Sequence, residues 1–338
     1  MNIPLSQLSP YVLDVMQRNH FEPVQVMRYG PRFFVCTVNS GDVEGLFKMV
    51  LPTSERKKFG PAEYVWTEFD EVDKLGKRLL KEARFLQFFS QAIDNDGFEP
   101  RIIALSETSP VWSLRTFIRE RTMSAWDSDF VFSPRFFKAF QPRQAIDFFR
   151  RIHEVSPTIP ENLTSLITDY TTTLNNHYRF ESTFNYALKL PQFKDGADLL
   201  LARFEAASAA YARYEPVITH YEPYPPHIFG SDHRFGLIDW ENVGWGHKLQ
   251  DLSVLYMRCF AQPAWQKEYV KVMDEYSYFQ GDGQLYWESE LLIQSFANHR
   301  YFTHGGPIGT PEYDALAIKF FEDTITGILK SSEHFRAQ

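Results

Sequence analysis

Cysteine is nearly absent: Cys36 and Cys259 are the only two in 338 residues. Two are too few for a disulfide framework or a cysteine-rich zinc site, and the composition points to a reducing compartment, the cytoplasm. No apolar run approaches the ~18 residues that a membrane span needs. The start of the chain, Met1-Asn2-Ile3-Pro4-Leu5, has neither the basic region nor the apolar stretch of a secretion signal. Basic charge is in deficit as well. A formal charge of −8 leaves no electrostatic footprint for wrapping nucleic acid or binding an anionic membrane surface, since phosphate recognition needs clustered Lys and Arg. No repeat of 20 to 50 residues and no low-complexity tract is present, which excludes solenoids and propellers. G-x-x-x-x-G-K-[ST], G-x-S-x-G and H-E-x-x-H are all missing, and with them the phosphate-loop, nucleophile-elbow and zinc-helix chemistries. What the chain does have is aromatic bulk: 16% of residues, 31 of them Phe, within an ordinary 44% hydrophobic and 23% charged composition. A chain of this length buries roughly 75% of its unfolded surface, enough for one or two domains.

The pattern of residues changes along the chain. After a short helix over Leu5 to Arg18, the runs Val24 to Tyr29, Arg32 to Asn39 and Val43 to Val50 are β-branched or aromatic, with Gly30-Pro31 and Ser40-Gly41-Asp42 between them, and read as three antiparallel strands. A polar stretch from Leu51 to Asp73, with Gly60-Pro61, has room for a turn of helix. Leu75, Leu79, Ala83, Leu86 and Phe89 recur at helical spacing, and Arg101 to Leu105 and Val111 to Ile118 return the chain to the sheet. From about Ser133 the segments are helix-length: Pro134 to Val155 broken near Pro142, Leu163 to Leu188, Ala197 to Tyr214, Leu249 to Phe260, Leu285 to Phe302 and Tyr313 to Leu329. The expectation is an α+β protein of two lobes, a small antiparallel-sheet lobe over residues 1–120 and a larger, mainly helical lobe over 121–338. The acidic excess falls mostly in the second, which suits a cationic or neutral ligand there better than a polyanion. Asp282, Glu288 and Glu290 near a helix start read as a solvated acidic face, with attraction of an amine-bearing ligand as the alternative.

Polar chemistry concentrates between Ile218 and Trp245. His220, Glu222 and His227 lie in a loop stiffened by Pro223, Pro225 and Pro226; Asp232 and His233 follow in a turn, and Leu237-Ile238-Asp239-Trp240-Glu241 closes the stretch. Taken singly, His220 is equally a backbone-bonded histidine, His227 a surface aromatic and Asp239 a turn cap. Together they offer acid, base and metal-ligand chemistry, including a zinc site of two imidazoles and two carboxylates.

These residues resemble the signature of the aminoglycoside phosphotransferase and choline kinase family, a branch of the protein-kinase-like fold. The family reads H-G-D-x-x-x-x-N and, some twenty residues on, I-D-W-E. Ile238-Asp239-Trp240-Glu241 matches the second motif without change, and His220 stands at the head of the first. Phe47-Lys48-Met49 resembles the strand carrying the family's ATP-contacting Lys, and Glu82, in Lys81-Glu82-Ala83, stands where its carboxylate partner is placed. Phe149-Arg150-Arg151-Ile152-His153 is similar to the helix before the family's catalytic loop, and Asp251-Leu252 to its later D-L. The resemblance covers roughly residues 24 to 260. It implies a kinase-like fold, ATP with Mg²⁺ or Mn²⁺ as cofactor, and transfer to a hydroxyl of an undefined small-molecule acceptor. It further implies nucleotide binding by Lys48 and Glu82, metal binding by Asp239 and His227, and catalysis by Glu222 with His220 bracing the loop.

The first motif is also degenerate. Glu222 replaces the family's Asp, His227 its metal-binding Asn and Tyr221 its Gly. Imidazole nitrogen suits Mn²⁺ or Zn²⁺ better than Mg²⁺. Arg28-Tyr29-Gly30-Pro31-Arg32 offers one glycine where a glycine-rich phosphate loop belongs. These departures give the alternative: a pseudokinase that keeps the lobes as a nucleotide-binding or scaffold module.

Overall fold

The computed structural model describes residues 4–59, 71–93, 100–119, 121–126, 128, 130–169, 173–231, 234–305 and 308–336. Gly60-Pro61 and the turn with Asp232 and His233 lie outside them. The chain divides into two compact units: Met1–Arg121 with Ile159–Leu166 and Gly236–Asn242, and Thr122–Thr158 with Ile167–Phe235 and Val243–Gln338.

The first unit begins with helix α1 (Pro10–Arg18), capped by the Ser9 hydroxyl, which accepts the Val12 amide. A separate 3₁₀ turn covers Leu5–Gln7, so the single helix expected over Leu5 to Arg18 is split; Ser9-Pro10 starts a new helix because proline suits the first helical position. Strands β1 (Glu22–Tyr29), β2 (Phe33–Ser40) and β3 (Val43–Val50) follow, then α2 (Thr53–Phe59), α3 (Val72–Ala92), β4 (Ile102–Ser106) and β5 (Trp112–Thr116). The five strands form one antiparallel sheet in the order β1-β2-β3-β5-β4. Strand alternation gives the sheet two faces. Phe34, Cys36 and Val38 of β2 and Phe47 and Met49 of β3 are fully buried in one core with Val12, Val15 and Met16 of α1. On the opposite face Val50 packs on Leu75 and Leu79 of α3. The aromatic surplus is used here, with Phe21, Phe47 and Trp112 in mutual ring contact at 5.2–5.8 Å. Helix α6 (Glu161–Thr164) and the segment Gly236–Asn242 complete the unit.

The second unit contains α4 (Pro134–Ala139), α5 (Pro142–Glu154), β6 (Thr168–Asp169), α7 (Thr173–Ala187), α8 (Pro191–Lys194), α9 (Ala197–Tyr211), β7 (Val217–Thr219), β8 (Ile228–Ser231), the first half of β9 (Arg234–Leu237), β10 (Gly244–Gly246), α10 (Lys248–Arg258), α11 (Pro263–Glu275), α12 (Gly283–His304) and α13 (Pro311–Arg336). The break at Pro142 occurs as its proline dictates. The single helix expected over Leu163 to Leu188 does not form: α6 ends at Thr164, and β6 pairs with β10 before α7 begins. Sheet pairing overrides helix periodicity there. Helix α11 escaped the sequence reading, although Pro263 at its first turn and Trp265, Tyr269, Val272 and Met273 at helical spacing are its signals. No described helix is long and apolar enough to cross a membrane.

Two histidines of this unit are buried as neutral groups. Neither ring nitrogen of His153, on α5, has a hydrogen-bond partner, and burial pulls its pKa down to about 3. His247 accepts the Leu249 amide at Nδ1 and stacks on Tyr286 at 3.8 Å; burial also lowers it well below an ordinary histidine. Unfolded imidazoles take up protons near pH ~6.5 that these native rings refuse, so stability falls as pH drops below that value. Burial shifts Asp251 the opposite way, up to about 7, and that contribution persists when His153 is replaced. The loss of Tm between about pH 7.5 and about pH 5 is therefore expected to be smaller in His153→Leu than in the parent protein, measured by thermal denaturation.

Candidate active site

Lys48 sits on the central strand β3, paired with Val35 of β2 and Ser113 of β5, where the pleat turns it toward α3. Its side chain is 10% exposed, and Nζ lies 2.7 Å from Glu82 Oε2 and 3.8 Å from Asp239 Oδ1. Glu82, on the inner face of α3, is 2% exposed and takes a second cation, Arg115 Nη1, on Oε1 at 2.8 Å. Burial works against the Lys48 charge, but Glu82, Asp239 and Glu241 outweigh it and raise the group above an ordinary lysine. Burial likewise opposes ionisation of Glu82, and Lys48 and Arg115 together overcome it and hold the carboxyl well below the usual range. The result is a dry, ionised triad of two cations and one anion, with the 32% exposed Asp239 carboxylate beside it.

The Ile238-Asp239-Trp240-Glu241 motif acts through its tryptophan. Trp240 is fully buried, with its ring 4.5 Å from that of Phe89 on α3 and its indole N–H donating to the Leu237 carbonyl at 2.8 Å. That anchor fixes the segment on the helix that carries Glu82. Asp239, one residue before, adopts φ +69°, the left-handed region that an Asp tolerates better than most side chains. Glu241 faces Arg78 at 3.7 Å; burial and the adjacent Asp239 raise its carboxyl above the ordinary value.

In the second unit the loop after β7 is held from below. Asp251, fully buried on α10, accepts the backbone N–H of His220 at 2.7 Å and of Tyr221 at 2.8 Å. His220 is itself fully buried, and its Nδ1 accepts the Glu222 amide at 3.2 Å. His227 Nδ1 lies 2.8 Å from the Glu222 carbonyl; a carbonyl only accepts, so Nδ1 carries a proton, and in the neutral tautomer that this selects the lone pair is on Nε2. Metal-binding histidines commonly have this arrangement. Tyr221 holds the left-handed φ of +75° in the place of the family's glycine, and the Arg179 guanidinium lies 5.9 Å from its ring. The proline-rich part of the loop is pinned by Tyr224, whose ring is 4.7 Å from the guanidinium of Arg258. Phe130 stacks on that guanidinium at 4.1 Å, and Asn298 accepts from it at 2.8 Å.

Lys48, Glu82 and Asp239 are thus neighbours in the first unit, and His220, Glu222 and His227 are neighbours in the second. Among the described residues no three His, Cys, Asp or Glu side chains are grouped to hold a metal, which removes the four-ligand zinc reading. The sequence reading also missed Arg115, whose signal was a lone arginine in an apolar strand, and Arg258. Of the acidic stretch around α12, Asp282 lies on a solvated face as expected, whereas Glu288 and Glu290 do not, and all three are paired with arginines. Glu290 is fully buried and gripped by Arg179 at 2.7 and 3.1 Å and by the Tyr211 hydroxyl at 2.6 Å; Glu288 pairs with Arg203, and Asp282 with Arg213 at 2.9 Å.

The model of the phosphotransferase enzyme family matches residues 59–287. The chain belongs to that family. Among solved structures it is similar to the ADP-bound aminoglycoside phosphotransferase APH(2'')-Ib, with TM-score 0.55 and 11% identity, covering 95% of this chain and 99% of that one. It is also similar to wild-type aminoglycoside 2'-phosphotransferase-IIIa in its GDP complex, with TM-score 0.55 and 16% identity, covering 94% and 98%. Macrolide 2'-phosphotransferase type I has TM-score 0.56 and 11% identity, covering 94% and 98%. At these identities the likeness is one of fold. A search of curated protein sequences finds no match to the chain. The two-lobe, kinase-like α+β fold of this phosphotransferase family member is therefore shared with enzymes of the family.

Removing the central anion of the triad leaves two buried cations facing each other. Glu82→Ala is expected to cost about 3–5 kcal/mol of folding free energy, read by urea denaturation. Arg115→Met leaves the Lys48–Glu82 pair intact and should cost less.

Proposed function

We propose that this family member transfers the γ-phosphoryl group of ATP to a hydroxyl of a small molecule. The observation that carries the reading is the Lys48 ammonium, held charged and dry at 2.7 Å from Glu82 with the Asp239 carboxylate at 3.8 Å. Phosphoryl transfer asks a protein mainly for positioning and charge neutralisation, and this set supplies both. Lys48 neutralises phosphate oxygens, Glu82 orients it, and Arg115 keeps Glu82 in place as Lys48 engages the nucleotide. Asp239, through hard carboxylate oxygens, and His227, through Nε2, are the side chains that would each offer a ligand to a divalent cation, which would supply neutralisation of phosphate charge. Glu222 orients the acceptor hydroxyl and receives its proton as the acceptor oxygen bonds to the γ-phosphorus and the bond to the departing ADP oxygen breaks. His220 braces the loop through the Glu222 amide and does not react.

A second reading, a nucleotide-binding pseudokinase, is favoured by one feature. The β1–β2 connection is a tight turn of residues 30–32, closed by the Gly30 amide on the Phe33 carbonyl at 3.0 Å, where a glycine-rich loop would cover phosphates. The Phe33 ring instead lies 4.7 Å from Lys48 Nζ.

Calorimetric titration with ATP, alone and with Mg²⁺ or Mn²⁺, separates the outcomes when paired with ADP release in the presence of candidate alcohols. Metal-dependent binding should vanish in a Lys48→Ala, Asp239→Ala double variant, and turnover should be lost in Glu222→Ala and Asp239→Ala. An imidazole at position 227 should make Mn²⁺ the better of the two metals. Binding without turnover under any metal would select the pseudokinase; absence of ATP binding would overturn both readings.

A further inference from the structure

Helices α7 and α12 of the second unit run alongside each other in the same direction. Arg179 meets Glu290, and further along both chains Tyr186 meets His299. Past that second contact lies a cavity of about 460 Å³ whose lining includes Glu181, Asn185, Tyr186, Lys189, Arg300 and His304. By helical rise its Tyr186, Lys189 and Arg300 lie about 10–15 Å along the helices from the Arg179–Glu290 pair, over which Tyr221 of the candidate catalytic loop sits.

The wall of this cavity is built with unusual care for a surface feature. Tyr186 is almost fully buried; its hydroxyl meets His299 Nδ1 at 3.0 Å, and the other ring nitrogen of His299 meets Glu322 Oε1 at 3.2 Å. Glu322 in turn accepts from the Gln192 amide at 3.1 Å. Three polar side chains from three other helices thus fix one tyrosine. The face of that ring carries the guanidinium of Arg300 at 5.9 Å, a cation–π contact that orients it at the cavity. Neither Arg300 nor Lys189 has a carboxylate partner among the described residues, whereas Arg179, Arg203 and Arg213 elsewhere in the unit are all paired. Two unpaired cations therefore face one carboxylate, Glu181, inside a chain whose net charge is −8.

We propose that this cavity binds a small anionic group, a phosphate or a carboxylate, through Arg300 and Lys189, with Tyr186 as the positioning residue of Arg300. The group is either borne by the acceptor molecule or is a free anion. Only the first of these rests on the phosphotransferase reading. The expectation from overall charge, a cationic or neutral ligand for this lobe, is reversed locally, because the carboxylates of α12 are already neutralised by arginines.

Titration of the full chain with inorganic phosphate, followed by calorimetry in a buffer of matched ionic strength, tests the site. Saturable binding should persist in Lys48→Ala, which removes the cation of the nucleotide residues, and weaken about tenfold in Arg300→Gln, the loss of one charge-assisted hydrogen bond. Lys189→Gln should act the same way. Both side chains are exposed and make no ion pair with the described residues, so the variants should keep the parent's Tm. No saturable binding at millimolar phosphate, or binding lost in Lys48→Ala and untouched in Arg300→Gln, would overturn the proposal whatever the outcome with ATP. Where an anion-bearing alcohol is phosphorylated, competition by phosphate in the parent but not in Arg300→Gln assigns the cavity to the acceptor. Binding without competition assigns it to a free anion.

Discussion

A single buried carboxylate organises the first unit. Glu82 is fixed on α3, yet its two oxygens are claimed by side chains from two strands, Lys48 of β3 and Arg115 of β5. An ionised carboxylate out of water is tolerable only with full pairing, and an unpaired lysine or arginine beside it would be equally costly. The triad therefore couples the position of the helix to the sheet with a penalty for any displacement. The same helix carries Phe89, on which Trp240 rests, so the site of Asp239 inherits its position from that helix. Fold and chemistry share one constraint here: moving the helix would unpair three charges and lift the tryptophan that presents the carboxylate.

Backbone strain marks the same places. Asp239 and Tyr221 both occupy the left-handed region, which costs a non-glycine residue on the order of 1–2 kcal/mol, and for a residue as bulky as tyrosine a glycine would be the easy solution. Tyr221 is held by the Asp251 carboxylate, which takes both its amide and that of His220, and its ring is used against Arg179. The departures of the loop from the family pattern accordingly occur as a set. Tyr221 replaces glycine, Tyr224 reaches the sandwiched Arg258, and His227 turns its Nδ1 back to the Glu222 carbonyl. Tyr221 and His227, which stand in place of the family's glycine and asparagine, each have a partner in this chain.

Much of the fold was legible because its signals are local. Alternation in Phe34-Val35-Cys36-Thr37-Val38, the helical spacing of Leu75, Leu79, Leu86 and Phe89, and Pro142 as a helix starter all act within a few residues, and the corresponding elements formed. Where the reading failed, a distant partner decided. The residues after α6 became strand β6 because β10, some 75 residues later, offered a ladder. Lys48 and Glu82 were legible only through the resemblance of their surroundings, since a lysine in a strand and a glutamate on a helix carry no local mark of being dry.

The sequence by itself determined the family, the alternation of sheet and helix, and the types of chemistry available around residues 220 to 241, since all of these are carried by residue type and short spacing. The tertiary structure alone decided which charges are free. Glu290 is cancelled by an arginine 111 positions away, Glu82 is shared by two cations, and Arg300, over a tyrosine fixed from α12 and α13, and Lys189 beside the same cavity have no carboxylate partner among the described residues. Net charge and charge runs average over such pairings. Electrostatic interaction depends on distance and burial rather than on separation along the chain, so only the folded chain fixes the sign of charge that a ligand meets.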